Sequence, residues 1–179
     1  MRYHIWKDGS KRRCCMKNLF LLLLVLSAQP ILGQAEKTEK SVEPTIYDVD
    51  SQDAEMNEAI KKSRLTFGEF LAAFRSKNPS QRNFSVKMPF ATEYGSEHIW
   101  LTNMDIKDEK LVGIVDNLPQ AVNAVRLGDV VEIDGEKITD WFYIDNEKLV
   151  GGLTIRVLRD RMSKSDRKRF DRTFGATID

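Results

Sequence analysis

The chain is poor in the residue types from which most enzymes build reactive centres. Among its 179 residues there are two cysteines, adjacent at Cys14 and Cys15, and two histidines, His4 and His98. Two neighbouring cysteines cannot form a disulfide framework, and a Cys/His zinc centre needs about four spaced ligands. Acidic residues would have to supply nearly every ligand, so no metal and no cofactor are expected. The sequence has no Gly-x-Ser-x-Gly elbow, no phosphate loop and no Gly-x-Gly-x-x-Gly fingerprint. Asp48, Asp50 and Asp53 are spaced like the start of a calcium loop, but Asp53 stands where glycine is required and Ala59 where glutamate is required. Long apolar runs are missing too, since a bilayer span needs roughly 20 residues. With 41% hydrophobic and 31% charged residues, the composition is neither collagen-like nor disordered.

What is present begins with Leu19–Leu26, a short apolar run behind Lys17 and the basic residues Lys11, Arg12 and Arg13. Gln29 and Pro30 end the run near half the length of a span. A basic stretch, a short apolar stretch and then small residues form the pattern of a secretory signal peptide. The small residues around Gly33-Gln34-Ala35 place cleavage after Ala35, with Gly33 as the alternative. Met16-Lys17-Asn18 is an alternative start. Residues 1–35 are therefore expected to leave as a leader, taking both cysteines and His4 with them. Six basic residues and one acid depart from totals of 28 and 27, leaving 22 basic against 26 acidic residues. The expected location is periplasmic or secreted. An acidic exported chain is not expected to bind nucleic acid, although Arg156 to Arg172 holds eight basic residues against three acids.

Residues 36–50 are polar, contain Pro44 and read as a tether. The domain is expected over residues 51–176. Apolar residues at three- and four-residue spacing predict helices over 52–64 and 66–76, divided by a capping box at Thr66 and Glu69 and a staple of Leu65 with Phe70. Alternation predicts strands at 84–88, 97–104, 110–115, 129–133, 137–144 and 148–150, with Pro89 ending the first or marking an edge. Asp134-Gly135 marks the clearest hairpin, joining residues 129–133 to 137–144. After Gly151-Gly152 a helix over 153–162 follows, then a last helix capped by Ser163 and Asp166 and stopped at Gly175. The expected fold is α+β: one domain with an antiparallel meander of five to six strands, packed by N-terminal and C-terminal helices.

What remains is the polar and aromatic content of the strands. In Glu97-His98-Ile99-Trp100-Leu101, alternation sets His98 and Trp100 opposite Ile99 and Leu101. In Ile138-Thr139-Asp140-Trp141-Phe142-Tyr143 it sets Trp141 and Tyr143 on one face. Trp100, Trp141 and Tyr143 are thus candidates for a shallow aromatic binding site within reach of Lys87. The same residues also suit an ordinary core with bonded indole N–H groups.

Several of these segments carry a resemblance: Asp53-Ala54-Glu55-Met56-Asn57-Glu58-Ala59-Ile60 with Phe70, Phe84-Ser85-Val86-Lys87, Glu97-His98-Ile99-Trp100, Gly128-Asp129-Val130-Val131, Ile138-Thr139-Asp140-Trp141 and Gly151-Gly152-Leu153-Thr154-Ile155-Arg156. In this order, over Val49 to Phe174, the chain resembles the YegJ-like proteins, a bacterial family known as domain of unknown function 2314. The resemblance implies a compact bacterial domain, often in exported proteins, with no activity or cofactor to carry over.

The leading expectation is a non-catalytic binding module for an unknown protein partner or cell-envelope component, with no stable membrane span once the leader is removed. An alternative is a small hydrolase-type enzyme in which His98 is the general base, Asp140 orients it, and Lys87 or Arg156 stabilises negative charge. A second alternative is an immunity-like inhibitor that occupies another protein's cleft.

Overall fold

Met56, Ala59 and Ile60 lie on the buried side of α1 (Ala54–Leu65), and Phe67 and Phe70 on that of α2 (Phe67–Ser76). The computed structural model describes residues 53–179 together with the strand backbones at 2–4 and 46–48; the expected leader and tether otherwise lie outside the described residues. Asp53 starts α1 by accepting the Met56 N–H at 3.0 Å. It also pairs with Arg161, and this bond, helped by the Met56 amide, holds its carboxyl at about 2. The break between α1 and α2 falls at Thr66, but the capping box does not form. The Thr66 hydroxyl donates back to the Lys62 carbonyl at 2.9 Å, and Leu65 is 77% exposed, so there is no staple with Phe70.

Six strands follow, all antiparallel: β3 (Gln81–Thr92), β4 (Gly95–Lys107), β5 (Lys110–Val115), β6 (Val130–Glu132), β7 (Asp140–Asp145) and β8 (Lys148–Gly151). Their order is β6-β5-β4-β3-β7-β8. The first four make a meander; β7 and β8 form a hairpin that docks on the far side of β3. The expected hairpin at Asp134-Gly135 is corrected accordingly. A turn exists there, with Lys137 N–H bonded to the Asp134 carbonyl at 3.0 Å, but its flanking strands do not pair. The reason is burial. Asp140 to Ile144 are all buried, so β7 needs a partner on each side, whereas β6 exposes Val130 and Glu132 and suits an edge. Pro89 lies within β3, beyond the Lys87–Asp140 rung where β7 ends, so it costs no ladder bond.

Two short strands complete the sheet. β1 (Arg2–His4) runs parallel to β4 at Glu97 and His98, and β2 (Ile46–Asp48) pairs with β1. In the full chain, therefore, three residues of the expected leader add to the sheet.

Beyond β8 come α3 (Leu153–Asp160) and α4 (Lys164–Phe174). The last begins as expected: Ser163 Oγ accepts the Asp166 N–H at 3.2 Å and Gly175 ends it in a left-handed conformation. Helices cover both faces of the sheet. On one, α2 packs Phe67 and Phe70 against Val86, Ile99, Leu101, Trp141 and Tyr143. On the other, Ile155 of α3 and Phe174 of α4 pack against Trp100, Phe142, Ile144 and Leu149. A third cluster joins α1 to α3 through Met56, Ile60, Val157 and Leu158.

Candidate functional site

The register aligns Trp100, Lys87 and Asp140 across β4, β3 and β7 in one buried rung. Beside it, Gly151 and Gly152 have φ of +75° and +64°. A Cβ on Gly151 would lie 2.6 Å from the Trp141 ring, so glycine alone permits this turn. The turn aims the start of α3 at Asp140. One carboxylate oxygen accepts Ser63 Oγ–H, Trp141 N–H and Leu153 N–H at 3.0, 2.8 and 3.1 Å. The other accepts the N–H and hydroxyl of Thr154 at 2.9 and 2.6 Å. Five donors and the positive end of a helix thus compensate a fully buried carboxylate.

Lys87 supplies the balancing cation. Its Nζ donates to Thr154 Oγ1 at 3.1 Å and stands 4.4 Å from the Trp100 ring centroid. The Thr154 hydroxyl therefore relays between ammonium and carboxylate. Burial lowers the Lys87 pKa to about 8, against the opposing pull of Asp140.

His98 belongs to a separate group. Its Nδ1 is 2.9 Å from Thr139 Oγ1, which also lies 3.4 Å from the Lys87 carbonyl. With Thr139 donating to that carbonyl, His98 donates through Nδ1–H. Ser96 Oγ lies 3.4 Å from Nε2. Burial, then the positive charges of Lys87 and Arg64, push the His98 pKa down to about 3. The His98–Thr139 pair lies at the wall of a cleft of about 840 Å³, which opens between α1 and the β3–β4 strands.

The two groups place the expected site residues as follows. His98 and Asp140 are not bonded to each other; one faces Thr139 and the cleft, while the other is enclosed at the start of α3. Arg156 is remote from both in its bonding: its nitrogens donate to the carbonyls of Gly151, Leu149 and Asp179, pinning β8 to the chain end. Trp100, Trp141 and Tyr143 do not make one aromatic surface. Trp100 packs on Phe142 beneath α3 and α4. Trp141 and Tyr143 occupy the opposite face, the former with its indole N–H bonded to the Ser63 carbonyl at 2.9 Å. Sequence reading missed Ser63, Thr139 and Thr154, which lie in helices or at strand ends where no short motif marks a hydroxyl. It also missed the role of Glu97, whose buried carboxylate accepts the amides of Gln120 at 2.9 Å and Ala121 at 2.8 Å and so fixes the β5–β6 connection.

Residues 53–178 match the family described as "Uncharacterized protein conserved in bacteria (DUF2314)". The chain belongs to this family. This is the YegJ-like family that the six sequence segments resemble. The chain is 33% identical over 100 residues to "Uncharacterized protein YegJ" of Escherichia coli strain K12, a match covering 56% of this chain and 64% of that relative. It is 30% identical over 138 residues to a "Putative ankyrin repeat protein" of Neisseria meningitidis serogroup B, covering 73% of this chain and 54% of that relative. The chain thus spans between half and two thirds of the length of these curated relatives. No solved structure matches it. Among the described residues no helix is long and apolar enough to cross a membrane.

Proposed function

We propose that this family member is an exported, non-catalytic binding domain of the bacterial cell envelope, with the cleft beside α1 as its ligand site. The observation that carries the reading is the commitment of Asp140. Its five hydrogen bonds hold secondary structure together, and none reaches His98. A general base works best with a pKa near the working pH, and His98 is held far below it, at about 3. A sheet-supported cleft with a few converging polar groups is what small-ligand recognition requires. The basic and apolar pattern of residues 11–26 supports export.

Two measurements on cells producing the protein test this. N-terminal sequencing of an envelope or culture fraction is expected to find a chain beginning at Glu36 or Gln34. A photocrosslinking residue at Glu136, on the cleft rim, is expected to capture an envelope component, whereas one at Lys168 on α4 captures none. An unprocessed cytosolic chain would overturn export. Turnover by the purified protein in a hydrolase panel, abolished by His98→Asn, would overturn the non-catalytic reading.

A further inference from the structure

The walls of the cleft carry unequal charge. On α1, Lys61 and Arg64 stand one turn apart on the cleft side; the facing wall has Ser96, the His98–Thr139 pair and a single carboxylate, Glu136. Arg64 is not a loose surface cation. Its Nε–H is tied to the Ile138 carbonyl at 2.8 Å, which orients the guanidinium while leaving its terminal nitrogens to face other groups. Among the described residues no carboxylate comes within ion-pair distance of it. Among the described residues Lys61 pairs only with Glu58, at 3.7 Å in a solvent-exposed pair, an interaction weak enough for a ligand to replace. The local electrostatics agree, since the Lys87 and Arg64 charges both disfavour a cation at His98.

We propose that this cleft binds the oxyanion end of a small ligand, a carboxylate or a phosphate, with Arg64 as the planar fork and Lys61 as the second cation. A guanidinium held by one nitrogen still presents two parallel N–H groups, the geometry that matches a carboxylate or phosphate. The cleft volume of about 840 Å³ accommodates a ligand of several linked groups beyond the anion. This inference rests on the binding-domain reading and names the ligand class of that same cleft.

Heteronuclear NMR titration of the purified protein tests it, with three probes: inorganic phosphate, tri-alanine with a free carboxylate, and tri-alanine amide. Saturable shifts confined to residues lining the cleft are expected with phosphate, with free tri-alanine or with both, and none with the amide. Which of the first two saturates tells phosphate from carboxylate. Arg64→Lys, which keeps the charge but not the fork, is expected to weaken binding about tenfold. Lys61→Gln leaves the Arg64–Ile138 bond in place and is expected to weaken it about threefold. Absence of saturable shifts with both anions, an equal response to the amide, or unchanged affinity in both variants would overturn the inference. Cross-linking at Glu136 that persists while both anions fail would leave the binding domain standing and remove only its anionic ligand.

Discussion

The Thr154 hydroxyl lies 2.6 Å from the Asp140 carboxylate, the shortest of that side chain's five hydrogen bonds, and it accepts Lys87 Nζ from the other side. A buried ammonium and a buried carboxylate are thereby joined through a single side-chain oxygen. Such pairs add little net stability over an apolar core, but removing one member leaves an uncompensated charge.

Thr154→Val keeps the shape and removes the relay. Equilibrium urea unfolding is expected to show a loss of about 2–4 kcal/mol. Thr154→Ser, which restores the oxygen, should stay within about 1 kcal/mol of the parent.

Lys87 gives a pH signature with a definite sign. Its folded pKa of about 8 lies below the ordinary 10.5, so between these values the unfolded chain binds more protons than the folded one. Stability therefore rises with pH across this window, by on the order of 3 kcal/mol at full extent. Tyr143 acts oppositely but higher: burial raises its pKa above 10, so its contribution is lost only beyond that. Unfolding midpoints between pH 8 and 10 should climb in the parent and stay flat in Lys87→Met.

His98 has the same sign at acid pH. With a folded pKa near 3 against an ordinary 6.5, the unfolded chain takes up the proton first, and stability falls as pH drops below 6.5. Between pH 6.5 and 4 the parent should lose about 3 kcal/mol more than His98→Asn. Nitrogen-correlated NMR of the imidazole should find it neutral throughout this range, with its proton on Nδ1.

Gly151 and Gly175, positive-φ glycines before α3 and after α4, should respond differently. Gly151→Ala drives a methyl into the Trp141 ring and backbone; the expected outcome is a loss of at least about 3 kcal/mol or failure to fold. Gly175 has φ of +76° but open space around it, so Gly175→Ala should cost only about 1 kcal/mol. Thermal unfolding of the pair measures the contrast.

Much of this fold was legible in the sequence because its elements obey local periodicities. The α1–α2 break, the Ser163 cap and the Gly175 stop were all readable within a few residues. Strand partners were not. Asp134-Gly135 does form a turn, yet the choice between β6 and β3 as neighbour of β7 depends on burial of both its faces, a property of the whole sheet. The site was less legible still. Alternation put Trp141 and Tyr143 on one face, where they are found, but it could not say that Trp100 falls on the other, with Phe142. Nor could it assign Asp140 to Thr154, 14 residues away across a glycine turn, or Arg64 to the Ile138 carbonyl, 74 residues away.

The position of β7 also sets the order in which the molecule can be completed. A chain that extends only through β6 contains every strand of the β3–β6 meander, but β3 then has one bare edge, and Val86 and Met88 lack their neighbour Trp141. Closing the sheet means pairing residues 81–87 with 140–145, more than 50 positions apart, and such non-local pairing is slow. The β3–β7 junction at the centre of the sheet therefore cannot form until residues 140–145 are available, and a fragment ending before Asp140 would leave β3 as a sticky edge.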